Sequence, residues 1–425
     1  MTTDASILSP AAVKPSSRSW KVPGVFGVLA VVAVVLFVFN VDEGVSRFAI
    51  SSSSDFFAFP TFELPARATG VVVAVLTVAV AAFATMRVVQ HKRVPLWVSI
   101  VGALVVLFGF LVWSAAGSTA FVGVPQLLSG MIAASVPLIF GAMGGVISER
   151  VGVVNIAIEG QLLGGAFAAA VVASVTGSWF AGVVAAAVAG VLVSFILAAF
   201  SIKYLVDQVI VGVVINVLIT GLTAFLATQW LSTDPALNDP EPLSRIAIPV
   251  LSQLPVIGAP LFNQTILVYI MYVAVALISW GLYKTRWGLR LRAVGEHPQA
   301  ADTVGINVTG TRFWNVSLAG AVAGIGGSFL PLAVSGSFED EMTGGIGFVA
   351  LAAVIFGRWD PIRTVFAGLL FGFASNLRNV LAVLESPVPS QFMLMLPYVV
   401  TILAVAGFVG ASRGPAASGK PYIKG

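Results

Sequence analysis

Runs of about twenty residues without a charge recur along this chain, and few folded states are open to such runs. Lipid can cover them only as α-helices or closed barrels, which bond their backbone N–H and C=O groups internally. Candidate runs fall at about 23–39, 68–86, 95–115, 127–147, 157–175, 179–200, 208–230, 263–283, 313–333, 343–356, 364–383 and 394–411. The tenth is too short to cross at 1.5 Å per residue and reads as tilted, re-entrant or half-helical. The expected fold is all-α, a polytopic transmembrane helical bundle with about 12 spans (10–12), some short or broken. Only 9% of the 425 residues are charged, against about 25% in soluble domains.

Lys and Arg orient the bundle. With the N-terminus in the cytoplasm, Lys14, Arg18, Lys21, Arg87, Lys92, Arg93, Arg150, Lys203, Lys284, Arg286, Arg290, Arg292, Arg312, Arg358, Arg363, Arg413, Lys420 and Lys424 fall inside, 18 of 22 basic residues. Only Arg47, Arg67, Arg245 and Arg378 fall at outer ends, whereas most acids, among them Asp42, Glu63, Asp234, Glu241, Glu339 and Glu385, lie outside. This positive-inside bias places both termini in the cytoplasm. Lys14, Arg18 and Lys21 ahead of an apolar run resemble a signal peptide. The run is long and no A-x-A-like site follows it, so it reads as an uncleaved first helix.

Composition also removes chemistry. Without cysteine there are no disulfides, thiolate metal sites or cysteine nucleophiles. The two histidines, His91 and His297, have no ligating neighbours in sequence, so no metal site is expected. No G-x-x-x-x-G-K-[ST] occurs among the seven lysines, so the chain holds no Walker loop.

The texture divides the chain into a cytoplasmic tail (1–22), peripheral N-terminal helices (23–119), a core (120–411) and a second tail (412–425), both tails Ser/Pro/Ala/Lys-rich and expected to be disordered. The first three spans carry few polar groups and no expected breaks, whereas the core is interrupted by Gly, Asn and Pro. Gly141-x3-Gly145, Gly160-x3-Gly164 and Gly320-x3-Gly324 permit close helix approach, as ordinary packing does too. Leu231–Pro260, with six prolines, reads as an external cap or docking surface.

The inner segment Lys284–Arg312 is the most informative. Pro298 suits the first position of a short helix continued by Gln299–Val304 and ended by Gly305. Such a helix is a knob for a soluble partner; a solvated basic loop explains the arginines but not the small-residue helix.

Gln299-Ala300-Ala301-x3-Gly305 resembles the Glu-Ala-Ala-x3-Gly coupling loop of bacterial ABC import permeases, with Gln in place of Glu. The run Leu291–Ile306, the stretch from Ser148-Glu149-Arg150 through Asn155 to Glu159-Gly160, the stretch Asp207-Gln208 to Asn216, and Gly347 to Pro361 together resemble the branched-chain amino acid/ribose/nucleoside permease family, nucleoside branch, over roughly 121–411. The resemblance implies an importer permease for nucleosides, related ribosides or simple sugars in a bacterial cytoplasmic membrane. ATP and Mg would be bound by a separate ABC ATPase subunit that engages Glu296, His297, Pro298, Gln299, Ala300, Ala301 and Gly305. It further implies a second permease subunit, usually a different chain, and an extracytoplasmic substrate-binding lipoprotein. Lipid surrounds the bundle, and no nucleic acid is expected.

Polar groups at membrane depth are the path candidates. Asn155 and Glu159 share a helical face; Glu159, the only carboxylate placed inside a span, is expected to cap or to pair with Arg150, and alternatively to line the path. Asn216, Thr220 and Asn376 suit hydrogen bonding to ribose hydroxyls, or inter-helix bonding. The competing class, an ion-coupled secondary transporter, ordinarily keeps several intramembrane acids or histidines.

Overall fold

The computed structural model describes residues 19–52, 55–384 and 414–424, with 388, 389, 391, 392 and 395 besides. The span expected at 394–411 and residues Glu385 and Arg413 lie outside the described residues. Within them the chain is an α-helical bundle. Ten helices are long and apolar enough to span a membrane.

Two compact units emerge. The first comprises the described residues of Met1–Arg47 and Glu63–Phe121, and holds α1 (Lys21–Val34), α2 (Ala66–Val89) and α3 (Leu96–Ser114). Its core is small, centred on Ala33, Phe37, Val73 and Ala74. Hydrogen bonds tie the helix ends: Ser46 Oγ donates to the Val112 carbonyl (2.7 Å) and Trp113 Nε1 to that of Asn40 (2.8 Å). Against expectation the first span is not regular. Val35–Phe39 continues α1 as π-helix.

The second unit, Phe48–Phe62 with Val122–Gly425, contains α4 (Val124–Arg150), α5 (Ile158–Thr176), α6 (Trp179–Ala198), α7 (Gln208–Leu226), α8 (Gly258–Phe262), α9 (Ile266–Lys284), α10 (Arg286–Glu296), α11 (Pro298–Thr303), α12 (Val308–Phe329), α13 (Ile346–Phe356) and α14 (Pro361–Val383). Short polar side chains set the starts: Ser178 caps α6, Asp207 caps α7, Asn307 caps α12 and Asp360 caps α14, each accepting from a backbone N–H of the first turn. Two strands, β1 (Arg245–Ala247) and β2 (Asn263–Thr265), pair antiparallel in the expected outer segment. Thus 263–265 belongs to a strand, and the helix starts at Ile266.

Packing in this unit centres on α4, α5, α6 and α12. Of the three Gly-x3-Gly pairs, only Gly320 and Gly324 bring backbones together. A Cβ on Gly320 would collide with the Gly190 carbonyl and Ser194 Oγ, and one on Gly324 with the Ala186 carbonyl. The other two pairs face mainly side chains. Such small-residue crossings matter in lipid, where apolar burial gives helices little reason to associate. α13 has 11 residues, about 16 Å of helix: a half-helix.

Candidate translocation site and coupling surface

The stretches that stand out in the sequence form one bonded framework. At the α4–α5 turn, Gln208 Oε1 accepts from Val154 N (2.7 Å). Asn216 accepts from Gly160 N and donates to the Ile156 carbonyl, both at 2.9 Å. Asn155, fully buried, exchanges bonds with the Gln161 amide, which donates on to Ser194 Oγ (2.9 Å). The amides of Asn155 and Asn216 therefore serve as cross-links, the use that buried polar groups need to offset their desolvation.

Glu159 does not pair with Arg150. Its Oε1 accepts from Thr343 Oγ1 (2.7 Å) and Gly345 N (2.8 Å), and its Oε2 from Gly347 N (2.6 Å). The carboxylate thus sits at the N-terminus of α13, where unpaired N–H groups and the helix dipole favour an anion. A short helix with few propagating bonds gains its fixed start from a residue 188 positions away. Arg150 Nε donates instead to the Trp359 carbonyl (2.9 Å), and Trp359 Nε1 donates to Glu149 Oε2. Glu149 is a second buried carboxylate, because α4 runs to Arg150, three residues beyond the span expected at 127–147. α13 is therefore clamped at its start by α5 and beyond its end by α4.

Two cavities flank the loop before α13. One, about 670 Å³, is lined by Gly130, Pro137, Phe329, Leu330, Thr343, Gly344, Ser375, Asn376, Arg378 and Asn379, among others. Polar side chains come mainly from one stretch of α14, and apolar ones from α4 and the end of α12. The other, about 530 Å³, holds Glu159, Asn216, Thr220, Glu341, Thr343 and Phe348. The path candidates are thus divided: Glu159, Asn216 and Thr220 border the second cavity, Asn376 the first, and Asn155 neither. Asn376 also donates to the Leu127 carbonyl (3.0 Å). Ser375, Arg378, Asn379 and Thr343 were missed. The 3–4-residue spacing of Ser375, Arg378 and Asn379 on one helical face was the available signal.

The segment Lys284–Arg312, expected on the inner side, is more ordered than a loop. α10 buries Leu291 and Val294, and α11 spans Pro298–Thr303 with Pro298 at its start and His297 Nδ1 accepting from Ala300 N (3.2 Å). Gly305 has φ +83°, the left-handed region that ends helices on glycine. Gln299, Ala300, Thr303 and Val304 are exposed, as are Glu296 and His297. Ala301 and Pro298 are buried within this chain, so the exposed face of α11 excludes Ala301, one of the two alanines expected to seat in a partner.

The tail at 414–424 is docked, not free. Ala417 N donates to the Gly295 carbonyl (2.9 Å), Ala416 N to Glu296 Oε2 (3.3 Å), and Arg312 Nη1 to the Lys420 carbonyl (2.9 Å).

Apolar helices of spanning length, an internally clamped half-helix and polar-lined cavities between helices define a multi-pass membrane protein. A family model described as "Branched-chain amino acid transport system / permease component" matches residues 127–405, and the chain belongs to that family; it is a transport permease, not an enzyme. The guanosine ABC transporter permease protein NupQ of Bacillus subtilis (strain 168) is 42% identical over 313 residues, 71% of this chain and 98% of its own length. The nucleoside ABC transporter permease protein NupC of Lactococcus lactis subsp. cremoris is 39% identical over 70% of this chain and 96% of its own. The putative glucose ABC transporter permease protein TsgC13 of Haloferax volcanii is 35% identical over 59% of this chain and 76% of its own. No solved structure matches.

Proposed function

We propose that this chain is the membrane-spanning permease subunit of an ABC importer that moves nucleosides or closely related ribosides into the cell. The observation that carries the proposal is the 670 Å³ cavity, whose α14 side offers Ser375, Asn376, Arg378 and Asn379 and whose other walls, Thr343 apart, are apolar. A riboside has that same division, with hydroxyls on the sugar and a flat apolar face on the base. The nearly full-length similarity to permeases named for guanosine and nucleosides supports the same substrate class.

The cycle uses two of the features above. Glu159 fixes the start of α13 and so holds Thr343 and Gly344 between the two cavities, where a small shift of α13 would open one cavity and close the other. Asn216 and Thr220 border the second cavity and Asn376 the first, so all of them flank the path, with Asn155 bracing it. Energy comes from ATP, with Mg, in a separate ATPase that grips α11 through Gln299, Ala300, Thr303 and Val304, with Glu296, His297 and Gly305 shaping the knob and Pro298 and Ala301 anchoring it. The complex contains a second, different permease subunit and takes substrate from an extracytoplasmic binding lipoprotein. Twelve spans, counting α13 and 394–411, leave both termini in the cytoplasm of a bacterial cell whose cytoplasmic membrane holds the complex. The first three spans do not line the path.

Uptake of labelled guanosine, adenosine and uridine into cells or proteoliposomes, with glucose, ribose and leucine as competitors, tests this reading. Uptake that needs the ATPase and yields only to nucleosides is expected. Uptake driven by an ion gradient without ATPase, or competed only by leucine, sinks it.

A further inference from the structure

The C-terminal segment makes more contacts with the α10–α11 region than a passive tail needs, and it meets a buried cation there. Arg312, at the start of α12, is 2% exposed and has no carboxylate partner among the described residues. Its one bond is to the Lys420 carbonyl, while Nε and Nη2 find no partner among the described residues. A buried guanidinium is costly unless hydrogen-bonded, so the tail and Arg312 depend on each other. Upstream, Ala417 is 5% exposed and Ala416 and Ala417 bond to the last residues of α10. Downstream, Tyr422 sits against Asp302 of α11, and Lys424 Nζ lies 4.0 Å from Asp302 Oδ1. The tail therefore touches the end of α10, the first turns of α12 and the C-terminal end of α11. α11 is a six-residue helix, and so short a helix does not hold itself in place.

We infer that residues 414–424 are a brace that positions the coupling helix α11, so that force passed to α11 reaches α12 and the core through Arg312 and the tail. This rests on the reading of α11 as the ATPase knob. Tyr422 and Arg312 act here as positioning residues, through α11 and not on the solute. The transmitting path is short: Asp302 on α11, the tail backbone from Tyr422 to Lys420, then Arg312 on α12, whose Gly320 and Gly324 cross α6 backbone to backbone. Without the brace, α11 would swing on the His297 and Gly305 turns, and hydrolysis would run without moving the core.

The chain lacks cysteine, so one spin label at Val304→Cys, 74% exposed beside α11, reports the knob directly. The label is followed in the full permease–ATPase complex for the parent, for Ala417→Arg, which forces the tail off, and for Tyr422→Phe with Lys424→Ala, which removes the polar groups facing Asp302 and keeps the half-buried ring in place. Label mobility rises in both variants, and the ATP hydrolysed per solute imported rises about fivefold, the low end of typical coupling between linked sites. A label as immobile in both variants as in the parent overturns the brace. A mobilised label with an unchanged ATP-to-solute ratio overturns its role in coupling. Failure of the α11 reading itself is separately visible: Ala300→Arg would then leave ATPase binding and uptake intact.

Discussion

The three helices of the first unit and the central helices of the second solve the same solvent problem in opposite ways. Each spanning window of α1, α2 and α3 has 28% of its residues buried in protein, while those of α4, α5 and α12 have 78%, 67% and 72%. The buried helices are the less apolar ones. Lipid asks for bulky hydrocarbon, and Val, Leu and Phe fill the first unit's exposed faces. A protein neighbour asks for fit, and Gly, Ala and Ser let α5, α6 and α12 approach. Polar side chains follow the same division. In the first unit, bonds between helices sit at their ends; in the second, Glu159, Asn216, Gln161 and Trp359 tie elements together in the interior. High hydropathy therefore marks the helices that touch lipid, and the mechanism resides where hydropathy falls.

Substitutions placed in matched pairs would break or sharpen this contrast. The largest effect is expected at the α6–α12 crossing. Gly324→Leu drives a side chain into the Ala186 carbonyl and should cost about 3 kcal/mol or more by overpacking, lowering both membrane abundance and thermal stability in detergent. Gly27→Leu in α1, where a Cβ meets nothing within 4 Å, should stay within about 0.5 kcal/mol. Equal losses at the two sites would erase the distinction between the units.

Next comes Glu159→Ala, which strips three bonds from the start of α13. Hydrogen bonds to a charged group are worth about 1.5–3 kcal/mol each, and partial replacement by water leaves a net loss of about 2–3 kcal/mol. Uptake should fall with the melting temperature, and Glu159→Gln, which keeps the shape but loses the charge, should fall between Ala and the parent. Wild-type melting in Glu159→Ala would show that α13 holds its own start.

A smaller effect, confined to function, is expected on α11. Ala300→Arg places bulk on the exposed face and should reduce ATPase association and uptake about tenfold, roughly 1.4 kcal/mol, with melting unchanged. Ala301→Arg, 3% exposed, should instead lower melting. If the two variants behave alike, α11 does not present the face described here.

The smallest effect tests the first unit. Cysteines at exposed positions of α2, such as Val72 or Val75, should react with thiol reagents at the same rate with and without nucleoside. The same substitution at Asn379 should be protected by substrate. Protection within α2 would bring the first three spans into the path.

How much of this was legible beforehand follows from the range of each signal. Apolar runs placed all ten described spans within a few residues, because hydrogen bonding in lipid is settled inside each segment. Pro298 and Gly305 marked α11 by the same local logic, since one presets a helical φ and the other tolerates φ +83°. The polar residues were noticed, but not their partners. Glu159 was expected to cap or to pair with Arg150, nine residues away, or else to line the path, and its bonds go to Thr343, Gly345 and Gly347. Arg378 was read only as an outer charge, and in the fold it stands on a cavity wall.

By itself, then, the sequence determined the class of solvent, the places of the ten long helices among the described residues, the short helix α11 and the family, each written in patterns a few turns long. Tertiary structure alone decided which face of α11 is free, that Glu149 and Glu159 clamp the two ends of α13, and that the tail meets Arg312. These depend on contacts between residues about a hundred or more positions apart, or on which side of a helix meets a neighbour. Helical periodicity leaves that side open when every face is apolar, and only packing chooses it.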